Sequence, residues 1–133
     1  MEAAVRMAKE FAGRPETVGL ARQFVAATLA AWDLDDLSEV ACLLSSELAS
    51  NAVRHVGAAY QLVLELDPPE VRVEVVDPSS RLPVRAEKAA DSGSGKGLNL
   101  VDALAARWGV RLLSGGKAVW FVLSAAHFSP SLP

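Results

Sequence analysis

The chain has 133 residues, enough for one compact domain and too few for two ordinary ones. Half of it is hydrophobic and 22% is charged, which supports a sizeable core and excludes general disorder. A net charge of −3 gives no global basic field and argues against nucleic acid as a direct partner, and the lone Cys42 excludes an intrachain disulfide.

The first residues lack the charged start and continuous apolar run of a signal peptide. No apolar segment reaches the roughly eighteen residues that a membrane span requires. The expectation is a cytoplasmic protein with no membrane contact, in which Cys42 packs structurally in mid-helix.

Val5, Met7 and Phe11 sit on alternate positions, so residues 5–11 read as a short edge strand. Gly13-Arg-Pro-Glu breaks that pattern. From about Glu16, Val18, Ala21, Val25, Leu29 and Trp32 recur at helical spacing, with Pro15 suited to the start and Asp33 marking the end. A second helix begins near Asp35 or Asp36 and runs to about Val56, where Gly57 stops it.

Leu37, Val40, Ala41, Leu44, Leu48 and Ala52 form the apolar stripe of this second helix. Asn51 and His55 fall inside the stripe and Glu47 lies at its edge. Glu47 and Asn51 are one turn apart, so their side chains are neighbours. A carboxylate and an amide facing a core need partners. Hydrogen bonds to a nearby loop are one solution; a bound cation with its anionic ligand is another.

Two alternating strands follow, Tyr60–Leu66 and Val71–Val76, joined at Asp67-Pro-Pro-Glu. The second runs into Asp77-Pro-Ser-Ser. Asp77 is either a turn initiator or a carboxylate placed to accept a hydrogen bond from an exocyclic amine such as that of adenine. Residues 77–96 mix prolines, glycines and charges without periodicity, a long loop for so short a chain.

That loop ends in Ser92-Gly-Ser-Gly-Lys-Gly, after which Leu98, Leu100, Val101 and Leu104 recur at helical spacing. Gly93, Gly95 and Gly97 allow close backbone approach before a helix N-terminus, where anions are attracted. A flexible hinge explains such a run equally well, and Lys96 is either a phosphate partner or a solvated side chain. Two last strands, Trp108–Leu113 and Lys117–Leu123, turn at Ser114-Gly-Gly. The order of elements predicts an α+β, two-layer α/β sandwich, its mixed, mostly antiparallel sheet covered by helices on one face. It forms one domain over residues 1–133, with residues 125–133 a frayed tail.

Taken in order, Glu47-x-x-x-Asn51, Asp77, and Gly95-x-Gly97-Leu98 before a helix resemble the nucleotide-binding boxes of the GHKL superfamily, the Bergerat-type ATP-binding fold. Within it, Ser46-Glu-Leu-Ala-Ser-Asn-Ala-Val-Arg-His55, Gly97-Leu-Asn-Leu-Val-Asp-Ala-Leu-Ala-Ala-Arg-Trp-Gly109 and Gly116-Lys-Ala-Val-Trp-Phe121 are similar to the RsbW/SpoIIAB-like branch of anti-sigma-factor serine kinases. The resemblance covers roughly residues 5–124.

It implies ATP and Mg²⁺ as cofactors, with Asn51 ligating the metal and Glu47 as general base on the attacking hydroxyl. Asp77 would read the adenine amine. The loop through Gly93, Gly95, Lys96, Gly97 and Leu98 would cradle phosphate. His55 would lie near the phosphates or pack structurally, with packing favoured, and Trp108 and Trp120 would be core and sheet residues. The implied partners are a sigma factor and its antagonist protein, and a homodimer is compatible.

The superfamily has glycine two residues after the aspartate. Here Ser79 stands there, and its Cβ would crowd the adenine or tilt the loop. With no phosphoacceptor helix or sensor among these residues, an intact histidine kinase is not expected. A catalytically weak module of the same fold, acting through protein binding alone, is the alternative.

Overall fold

The computed structural model describes residues 5–81 and 94–125, with residues 94–97 described by backbone alone. Five strands, β1 (Val5–Phe11), β2 (Tyr60–Asp67), β3 (Glu70–Asp77), β4 (Arg107–Leu113) and β5 (Gly116–Ser124), form one sheet in the order β1-β2-β3-β5-β4. Every neighbouring pair is antiparallel, so the sheet expected to be mixed is antiparallel throughout. Two-residue links join β2 to β3 and β4 to β5, and links that short join only antiparallel neighbours.

The register places side chains in rows. Met7, Leu64, Val73, Phe121 and Trp108 lie opposite one another across all five strands. Leu62, Val75, Val119 and Val110 form the next row. Leu62, Leu64, Val71, Val73 and Phe121 are fully enclosed, and each contributes about 2 kcal/mol by leaving water.

Three helices cover this face: α1 (Thr17–Ala31), α2 (Ser38–His55) and α3 (Ser94–Leu104). Their residues Val25, Leu29, Leu44, Leu48, Leu98 and Val101 join the same core cluster as the strand rows. Arg72, Glu74, Trp120, Arg107 and Arg111 occupy the other face, as the two-residue period of a strand requires.

The helix ends follow local chemistry. Thr17 starts α1, and its hydroxyl donates towards the carbonyls of Ala12 and Arg14 at 2.8 Å while the Tyr60 hydroxyl lies 2.9 Å away. At the far end Asp33 adopts φ 62°. The Asp33 N–H reaches Ala30 O at 3.0 Å and the Leu34 N–H reaches Leu29 O at 2.8 Å. This is the left-handed helix stop usually made by glycine, closed by the contact class expected of buried Leu29 and Leu34. Gly57 ends α2 in the same left-handed region, at φ 71°.

Three boundaries differ from expectation. A 3-10 turn, Asp35–Leu37, precedes α2, so the α-helix proper begins at Ser38. Helix α3 begins at Ser94, which takes Gly95, Lys96 and Gly97 out of the loop and into its first turn. Ala125, expected in the tail, is buried and donates to Pro69 O at 2.7 Å. Gly93, the rest of the glycine-rich approach, and residues 126–133 lie outside the described residues.

Candidate functional site

Connectivity brings the candidate residues to one end of the sheet. Only four residues separate His55 at the end of α2 from Tyr60 at the start of β2. Next to Tyr60, Gln61 pairs with Val76, the neighbour of Asp77. Asp77 pairs with Lys117 at the start of β5. Helix α3 delivers the chain to β4 at Arg107, which pairs with Val122 at the opposite end of β5. At 1.5 Å per residue α3 is about 16 Å long, and it packs on α2 and on β4. Helix α2 packs against both β3 and α3.

Glu47 and Asn51 are both half-buried on α2. Among the described residues, neither side chain makes a hydrogen bond or ion pair; residues 82–93 of the expected long loop lie outside the described residues. The contrast lies one position away. Ser46 donates to Cys42 O at 2.7 Å and accepts from Arg22 Nε at 3.0 Å, tying α2 to α1. Cys42 itself approaches Arg22 O at 3.6 Å, in keeping with a packing role.

His55 does not pack into the core as favoured. It is exposed in the last turn of α2, on the apolar stripe but where the helix ends and its cover runs out. Leu98 sits 1% exposed in the core cluster, so its side chain anchors α3 from below. The first-turn N–H groups of α3, on Ser94, Gly95, Lys96 and Gly97, have no intrahelical partner and are the ones placed to meet an anion.

Asp77 is both a turn initiator and a buried charge. Its Oδ1 accepts from Ser79 N–H at 2.9 Å, the local turn open to it from the start. The same oxygen accepts from Lys117 Nζ at 2.9 Å. The Ser79 Oγ accepts from Arg81 N–H at 3.1 Å, and its carbonyl accepts from Lys117 Nζ at 3.2 Å. Asp77 is 6% exposed and Lys117 5%, so a buried ion pair holds the start of the segment that follows β3. Gly116 makes this approach feasible, since a Cβ there would collide with the Asp77 carbonyl.

Lys117 is a functional candidate that periodicity alone passes over, although its position carries a signal. Lys117 shares the core-facing register of β5 with Val119, Phe121 and Leu123. A charge in that register demands a partner.

Trp108 and Trp120 behave as sheet residues on opposite faces. Trp108 Nε1 donates to Asp102 Oδ1 at 2.9 Å, whereas Trp120 lies under the Arg72 guanidinium, 4.2 Å from the ring centroid.

Residues 11–123 match the family described as histidine kinase-like ATPase domain. The chain belongs to this family. Among curated proteins no relative matches it. An antiparallel sheet with helices on one face agrees with that membership, which implies ATP binding.

The residues at this end of the domain suit a magnesium nucleotide. Among the described residues, no three His, Cys, Asp or Glu side chains converge to cage a cation unaided. The Asn51 amide, without a partner among the described residues, instead offers one oxygen donor, which suits a small hard cation that takes its other ligands from phosphate and water. Among the described residues, no helix is long and apolar enough to cross a membrane.

Proposed function

We propose that the chain is an ATP- and Mg²⁺-dependent protein serine/threonine kinase that acts as an anti-sigma factor in a partner-switching system in the cytoplasm. The observation that carries this reading is the pair Glu47 and Asn51, one turn apart, half-buried and without a partner among the described residues. A domain that only binds nucleotide needs no unpartnered carboxylate beside its metal ligand.

In this reading Asn51 would hold Mg²⁺ through its amide oxygen, and the bound ion would supply charge neutralisation for the phosphates. Glu47 accepts the proton of a serine or threonine hydroxyl on the partner protein. The freed oxygen bonds to the γ-phosphorus as the bond to the β–γ bridging oxygen breaks, and ADP departs. Asp77 meets the adenine amine, and the first turn of α3 meets the phosphates. Phosphorylation of the antagonist protein would release it, leaving the kinase free to hold a sigma factor.

A second reading is supported by Asp77 itself, whose Oδ1 already accepts two hydrogen bonds. In that reading nucleotide binding is weak, and the fold acts by protein binding alone.

Titration calorimetry with ATP, with and without Mg²⁺, tests the first step. Metal-dependent binding is expected. Transfer of labelled γ-phosphate to a serine-bearing antagonist then separates the kinase from the binding module, and binding without transfer would leave the second reading standing.

A further inference from the structure

The Asp77–Lys117 pair is more than a fastening for the segment after β3. A lysine ammonium has three N–H donors, and the described residues take two of them, one at Asp77 Oδ1 and one at Ser79 O. Both donors to Asp77 among the described residues reach Oδ1, and none reaches Oδ2. The pair is almost wholly buried, at the strand ends on the helix-facing side of the sheet. It therefore holds one acceptor and one charged donor, side by side and in fixed positions.

We propose that Lys117 is a base-reading residue that sets nucleotide specificity. Its remaining N–H donates to N1 of adenine while Asp77 Oδ2 accepts from the adjacent N6 amine. This deepens the nucleotide reading above and rests on it. Adenine carries its donor, N6–H, next to its acceptor, N1, matching a carboxylate beside an ammonium. Guanine carries the reverse order at those two positions: O6 would face the carboxylate, and N1–H would face the ammonium. In a buried site, a base that leaves such groups wrongly paired is strongly rejected. Ser79 contributes by holding Oδ1 and the ammonium in place, which leaves Oδ2 to turn towards the ligand.

The test is calorimetric titration of the full chain with Mg²⁺ and ATP, 1-deaza-ATP (N1 replaced by C–H) or GTP. Wild type is expected to bind ATP about tenfold tighter than 1-deaza-ATP, and GTP more weakly still. Lys117→Met is expected to bind ATP and 1-deaza-ATP equally, the ratio falling to about one. A lysine that only fastens the chain would shift the thermal midpoint and weaken both nucleotides alike; an unchanged tenfold ratio in the variant overturns the proposal. The wild-type measurement keeps the proposal open to refutation should Lys117→Met not fold, because equal wild-type affinities for ATP and 1-deaza-ATP refute it alone. Wild type that binds no nucleotide at millimolar concentration refutes both this inference and the function beneath it.

Discussion

Two carboxylates on β3, Glu74 and Asp77, stand three residues apart and therefore on opposite faces of the sheet. Glu74 lies on the face without helices. It accepts from Arg72 Nε at 2.9 Å and from Arg111 at 2.8 Å, and Arg72 in turn lies over Trp120. Burial alone would raise its pKa, but the two guanidinium hydrogen bonds prevail and hold the carboxyl below its ordinary 4.5.

Asp77 lies on the helix-covered face of the sheet, and among the described residues a single lysine answers its charge. Arginine fills a carboxylate with a rigid fork and leaves little to offer a ligand; lysine is a point charge with a donor to spare. Glu74 thus serves the sheet and Asp77 serves the site. Glu47 and Asn51 carry the contrast further, since among the described residues no group answers them.

The contrast implies crossed effects, and the largest belongs to the unpartnered pair. Asn51→Ala should lower Mg²⁺-dependent ATP affinity by at least about 100-fold while the thermal midpoint moves less than about 3 °C. Calorimetry beside a thermal melt checks both, and unchanged affinity would remove Asn51 as the metal ligand. Glu47→Gln should keep ATP affinity within about threefold and reduce phosphate transfer by about 100-fold or more. Undiminished transfer would remove Glu47 as the base.

Glu74→Gln should do the reverse, costing about 1–2 kcal/mol of stability and leaving nucleotide affinity alone. The sign with pH follows from the depressed pKa. The carboxylate's contribution is present above 4.5 and is lost as pH falls through the folded-state value. Wild type should therefore lose stability more steeply than Glu74→Gln below about pH 4.5 in denaturant titrations; parallel curves would show that the arginines do not hold Glu74.

The smallest effect is expected at Arg107, whose bidentate bond to Glu70 lies in solvent at 2.7 and 2.8 Å. Arg107→Met should move the thermal midpoint by no more than about 2 °C, and by less in 1 M salt. A larger, salt-resistant shift would mean that the open face shields its ion pairs from water.

Much of this architecture was legible in the chain. The strands declared themselves through alternation, as in Tyr60-Gln-Leu-Val-Leu-Glu-Leu, and the second helix through its stripe from Leu37 to Ala52. Glu47, Asn51 and Asp77 stood out because each set a polar group against an apolar pattern. Other positions misled for physical reasons. Glycines are poor helix formers, so Gly95 and Gly97 read as loop although they occupy the first turn of α3. His55 continued the stripe on paper, yet lies where the helix ends and its cover runs out.

The sequence by itself determined the elements, the side chains that face inward and the family, because each depends on local periodicity or on a short ordered motif. Only the tertiary structure decided what each inward polar group meets. Lys117 and Asp77 are forty residues apart and become partners through the β3–β5 register alone. That register is set by the packing of Val73 on Phe121 and Val75 on Val119 across the sheet. No pattern within either segment encodes it.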